Sequence, residues 1–193
     1  MKSIKILALL LLSLSVNLLL ADQTSTHTRE ARELVNQFFG SLKGELQAAL
    51  QEGGPVIAIS ICKLKAPRLT RELSSLSGWY LARTSLKLRN PNNQPDAWER
   101  NVLEQFEARK ANGESLQNME YAEVVDIEGK KIFRYMQAIE VMDLCLNCHG
   151  QNIKPEISRI LNQLYPNDHA TGFQKGDLRG AFTLAKSLHN PEQ

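Results

Sequence analysis

Apolar positions recur along this chain with helical spacing in some stretches and strand-like spacing in others. From about Thr28 to Gln51, Leu34, Phe38, Leu42, Leu46 and Leu50 return every fourth residue, which predicts a long amphipathic helix. Gly53-Gly54-Pro55 is expected to stop it. Val56 to Leu73 carries mixed signals. Val56, Ile57, Ile59 and Ile61 favour a strand, whereas Pro55 at a first helical position and the alanines and charges that follow favour a helix, and helix is the reading adopted. Ser77 to Arg89 reads as a strand, followed by a loop at Asn90-Pro91-Asn92-Asn93. Pro95-Asp96 opens a helix to about Lys110, with Trp98, Val102, Leu103 and Phe106 on one stripe and Asp96 and Glu99 at its positive end. Tyr121–Ile127 and Lys131–Ile139 flank Glu128-Gly129-Lys130 as a β-hairpin. A short helix, Lys154 to Leu164, breaks at Tyr165-Pro166-Asn167-Asp168, and Ala181 to Ala185 is the last strand. With no crossover units evident, the class is α+β with an antiparallel sheet.

The 193 residues fit one domain. The beginning reads differently from the rest. Lys2 and Lys5 precede a leucine-rich run, Ile6 to Leu20, and Ala21 offers a small residue before polar Asp22. Residues 1–21 therefore read as a cleaved secretory signal peptide, leaving 22–193 as one exported, periplasmic domain. An uncleaved membrane anchor is the competing reading, but the run is short against the roughly 20 apolar residues that a span needs. No cysteine follows the run to carry a lipid. Removal of 1–21 takes away two lysines and no acids, so the formal charge falls from +2 to 0. A neutral mature chain gives no electrostatic argument for nucleic acid or for an anionic membrane.

Export also changes how the three cysteines, Cys62, Cys145 and Cys148, are read. In an oxidising compartment one thiol is left over after pairing. Cys145-Leu146-Asn147-Cys148-His149 is the attachment pattern of c-type haem. Two thiols three positions apart can each add to a haem vinyl group, and the next residue, His149, is then placed under the iron. A redox disulfide and half of a zinc site are the competing readings, the latter without a second pair at zinc-ligand spacing. For the other axial position the candidates are Cys62, Met119, Met136, Met142, His27, His169 and His189. His27 and His189 are expected to be solvated, His169 to lie at the surface, and a buried Met to fill the core. Cys62, in an apolar stretch, reads either as a small buried hydrophobe or as a thiolate ligand that accounts for the odd cysteine.

Further segments carry a resemblance. These are Gly53-Gly54-Pro55 with Ala58 to Cys62, Arg83 to Lys87 with Arg89-Asn90-Pro91, Pro95 to Glu99, Phe133 to Met136, Cys145 to Gly150, and Tyr165 to Phe173 with Gly176 to Ala181. In this order the chain resembles the small c-type haem proteins with a PAS-like fold found in cyanobacteria and other bacteria. The resemblance implies about five antiparallel strands flanked by helices, one covalently attached haem c, and His149 with Cys62 as the axial pair. Arg83, Arg89, Arg134 and Arg179 are candidates to meet haem propionates, although a surface or structural role suits any one of them better. The function so implied is a redox or gas sensory module acting through a separate signalling or redox partner, and not an enzyme. An electron-transfer cytochrome is the alternative. A peroxidase-like enzyme is a third reading and needs an iron site that opens.

Overall fold

The computed structural model describes the backbone of residues 2–188 and the side chains of residues 23–188. The apolar repeat forms a long helix, α1 (Lys2–Ser60), with one break at Gly54, where φ is 69° and ψ −167°. Glycine tolerates that conformation without a Cβ penalty, and Pro55 restarts the helix at the position its fixed φ suits. The β-branched run after Pro55 is therefore helical. A π-helical turn, Ile61–Lys65, leads into α2 (Ala66–Ser77), which ends at Gly78 in the left-handed region. The expected signal peptide falls on residues whose side chains lie outside the described set. From residue 23 onward no helix is long and apolar enough to cross a membrane.

The strand expected over Ser77 to Arg89 is confined to β1 (Tyr80–Thr84). The Ser85 hydroxyl explains the early exit: it donates to the Arg179 carbonyl at 2.7 Å and accepts from the Lys87 amide at 3.1 Å, which folds the chain into a turn. Helix α3 (Ala97–Ala111) starts at a capping box between Asp96 and Glu99. β2 (Glu120–Ile127) and β3 (Lys130–Glu140) form the hairpin, closed by Glu128 and Gly129 with positive φ, as a two-residue turn demands. Then come α4 (Asp143–His149), α5 (Pro155–Leu164) and β4 (Leu178–Ser187). The sheet is antiparallel throughout, in the order β1-β4-β3-β2. Among the described residues it has four strands, where the resemblance implies about five.

Strand alternation sorts the core into two layers. On one face Phe133 and Tyr135 of β3 and Phe182 and Leu184 of β4 pack under Ala31, Val35 and Phe38 of α1. On the other, Met136 and Ala181 meet Val102, Leu103 and Phe106 of α3. The guanidinium of Arg134 is buried on this second face. It pairs with Asp96 at 2.8 Å and Glu99 at 3.3 Å and lies 4.1 Å from the Trp98 ring centroid. Arg134 thus belongs to the fold and not to a site. The stripe on α1 divides the same way. Its N-terminal part covers the sheet, while Leu42, Leu46 and Leu50 are only half-buried and overhang a cavity beyond the sheet's end.

Phe133 is fully buried, with its ring 5.9 Å from Trp79 and 5.4 Å from His27. Phe133→Ala is expected to cost about 3–5 kcal/mol in urea denaturation. A second expectation concerns pH. Glu120 accepts hydrogen bonds from Arg32 and from the Tyr135 hydroxyl, at 2.8 and 2.7 Å, and the Arg32 bond above all holds its carboxyl below the usual range. A depressed carboxyl stabilises the fold above its unfolded pKa, about 4.3 for Glu, and that contribution disappears as pH falls through the folded value. Glu120→Gln should therefore be less stable than the parent at pH 7, with the gap closing in denaturation curves below about pH 4.

Candidate functional site

The cavity lies between α1, the end of β1, α4 and the start of β4. Its empty space is about 1200 Å³, counting the part open to solvent. Helix α4 supplies Cys145, Cys148 and His149, whose i, i+3, i+4 spacing sets them on one helical face. Cys62 enters from the π-helical turn, on the same face as Ala58 and Ile59, four and three residues before it. All three cysteines are free thiols. The two halves of the expected site, distant in sequence, share one cavity.

His149 is held in a defined state. Its Nδ1 lies 2.7 Å from the Ala170 carbonyl, which can only accept, so Nδ1 carries the hydrogen and Nε2 keeps its lone pair. Burial, and then the positive charges of Arg179 and Arg89, push its pKa well below the ordinary value. The ring is neutral at neutral pH, as a metal ligand must be. Burial pushes the Cys62 thiol up, while Arg83, Arg89 and Arg179 pull in the opposite direction. Burial likewise raises Cys148.

Arg89 organises the surroundings of His149. It pairs with Asp168 at 2.9–3.0 Å, with both side chains a tenth exposed or less. The same guanidinium donates to the Cys148 and Ala170 carbonyls and reaches within 3.5 Å of His149 Nε2. Asp168 in turn accepts from the Ala170 amide at 2.8 Å. The segment before β4 is thereby fastened to α4, and its hold is extended by the Phe173 amide on the His149 carbonyl at 3.0 Å. Arg83 and Arg179 also line the cavity, and among the described residues neither has a carboxylate partner. Arg179 donates to Ser85 Oγ and to the Lys87 carbonyl, at 3.0 and 3.1 Å. Burial, reinforced by Arg89 and Arg83, brings its pKa down to about 10.

Residues 16–187 match the family described as Tll0287-like. The chain belongs to the Tll0287-like family. Among solved structures it is similar to the one described as "Crystal structure of the cyanobacterial heme-protein Tll0287", with a TM-score of 0.63 and 26% sequence identity, over 83% of this chain and 94% of that one. A search of curated proteins finds no match.

In this member of the Tll0287-like family Met142 alone of the other described candidate ligands shares the cavity. Met119 and Met136 are buried under α3. Met142 lines the cavity just before α4. His169 is exposed, and His189 lies outside the described residues. His27 corrects an expectation: it is not solvated but packs against Trp79 and Phe133, because α1 reaches across the sheet at that point. Reading the sequence alone also missed Asp168 and the Ala170 carbonyl. The only local signal for them was a turn-forming Asp two residues before a buried Ala.

Removing one partner of the clamp leaves a buried charge alone. Asp168→Ala is expected to cost roughly 3–5 kcal/mol in denaturation, and Asp168→Asn less, because the amide still accepts from the Ala170 N–H. Equal losses for the two variants would contradict the charge argument.

Proposed function

We propose that this chain is an exported monohaem protein. In this reading Cys145 and Cys148 hold a c-type haem covalently, and His149 and Cys62 are its axial ligands. The observation that carries it is His149, its Nδ1 committed to the Ala170 carbonyl, in a cavity shared with three free thiols. The similarity to a protein described as a heme-protein supports the cofactor. Bound here, haem supplies a one-electron redox centre whose iron can also take diatomic gases.

The chain's own residues support a sensory role over simple electron carriage. Cys62 sits on a π-helical turn between two helices, a distortion that recurs at functional sites. If Cys62 leaves its place, the turn and α2 shift against the sheet edge at β1, which α2 contacts. A separate partner protein would read that shift. Residues 1–21 act as the export signal, so N-terminal sequencing of the secreted protein should begin near Asp22.

The test has two parts. Reduced protein in alkaline pyridine should give the c-type spectrum, and its absence removes the cofactor assignment. Cys62→Ala should then abolish the low-spin thiolate signature in the oxidised optical and EPR spectra and let CO bind at once on reduction. An unchanged oxidised spectrum means that Cys62 is not a ligand. In the parent protein, CO binding on reduction supports the sensor, and a reversible couple with unaltered ligation supports the electron carrier instead.

A further inference from the structure

Two arginines in the cavity are unexplained by the fold. Arg83 lies on β1 opposite Phe182, in register. That is the sheet face covered by α1, where Leu81, Phe38 and Leu184 form the core. A cation does not belong in that layer for packing alone. Its guanidinium is 5.5 Å from the Phe38 ring centroid, and among the described residues it has no hydrogen-bond or ion-pair partner. Arg179, at the start of β4, spends one nitrogen on Ser85 Oγ and the Lys87 carbonyl and lies over the Phe173 ring, 5.4 Å from its centroid. Its other donors are uncommitted. The nearby carboxylate, Asp168, is taken by Arg89, and Arg134 is neutralised across the sheet by Asp96 and Glu99. The cavity wall therefore carries two positive charges that no carboxylate among the described residues pairs with.

The backbone is shaped to keep them there. Gly180 has φ 151°, and a Cβ at that position would meet the Thr84 carbonyl oxygen at 2.3 Å. Only glycine lets β4 approach the end of β1 this closely, which brings the segments carrying Arg83 and Arg179 to one rim.

We infer that Arg83 and Arg179 are the anchor for the two carboxylates of the cofactor held in this cavity, one guanidinium to each. The inference rests on the haem reading above, since haem carries two propionates. A guanidinium fork meets a carboxylate with two parallel hydrogen bonds, and two such pairs bring the uncompensated charge of the wall to zero. The pairs also fix the rotation of the ring in its plane, while the thiols and axial ligands set its position.

The experiment uses the full-length protein matured with haem and the variants Arg83→Gln, Arg179→Gln, Arg83→Lys and Arg179→Lys. The readouts are haem content in alkaline pyridine, the propionate-bending bands of the resonance Raman spectrum, EPR of the oxidised form and the midpoint potential. Each Gln variant should shift a propionate band. Each should also favour the oxidised form by about tenfold, or about 59 mV for a one-electron couple. The Lys variants should keep the potential but still move the band, because a single-point donor replaces a fork. Unmoved bands in a haem-loaded Gln variant overturn the inference for that arginine. So does a change of the thiolate EPR signal in Arg83→Gln without a band shift, which would make Arg83 a partner of Cys62. If a Gln variant yields no holoprotein, the Lys variant decides by the same band. A parent protein without haem defeats the underlying reading and not this inference alone.

Discussion

The guanidinium of Arg89 meets three segments at one point, beside backbone bonds that also tie them, such as the His169 amide on the Leu88 carbonyl and the Phe173 amide on the His149 carbonyl. It comes from the loop after β1, pairs with Asp168 before β4, and donates to the last turn of α4 at the Cys148 carbonyl. It also shares the Ala170 carbonyl with His149 Nδ1. The orientation of the imidazole, its tautomer and the position of the thiol-bearing turn are thus set by one ion pair. Buried pairs of this kind add little net stability, but they impose one geometry. A second donor on the Ala170 carbonyl also weakens it as an acceptor for His149, so the clamp limits how strongly the imidazole can be made to donate electrons.

Helix α1 has the complementary task. It is longer than the sheet it covers, and its stripe serves two purposes. Ala31, Val35 and Phe38 complete a core, while Leu42, Leu46 and Leu50 form one apolar wall of the cavity. The break at Gly54 redirects the chain, so that Ala58, Ile59 and Cys62 line the same space. An apolar wall on this side and arginines along the end of the sheet give the cavity an amphipathic lining. A flat, mostly apolar ring with an acidic edge has the matching polarity.

Much of this was legible where the information is local. The four-residue repeat of α1, the acidic helix start at Asp96 and Glu99 and the hairpin turn at Gly129 each lie within a few residues of what they determine. The C-x-x-C-H run is equally local. β1 was read too long because Leu86 and Leu88 prolong the alternation, and the hydrogen bonds of Ser85 that end the strand reach to residue 179. The stretch from Val56 was ambiguous because β-branched residues in a helix give no period of their own. Cys62 reads either as a small buried residue or as the thiolate that accounts for the odd cysteine, and the family resemblance favours the second. The Arg89–Asp168 clamp spans 79 positions, and no spacing rule connects residues so far apart. Arg83, Arg89, Arg134 and Arg179 are alike in sequence, and only the fold separates the one paired under α3 from those around the cavity.

The order of the strands has a consequence for how the molecule is made. β4, the last strand, lies in the middle of the sheet and is the one element that joins β1 to the hairpin. Until it is in place β1 has no strand partner, Arg83 and Arg179 lie apart, and the end wall of the cavity does not exist. Chains emerge from their N-terminus, so every cysteine and His149 are out before that wall can form. The thiols are therefore reachable on an open chain before the central strand closes the domain.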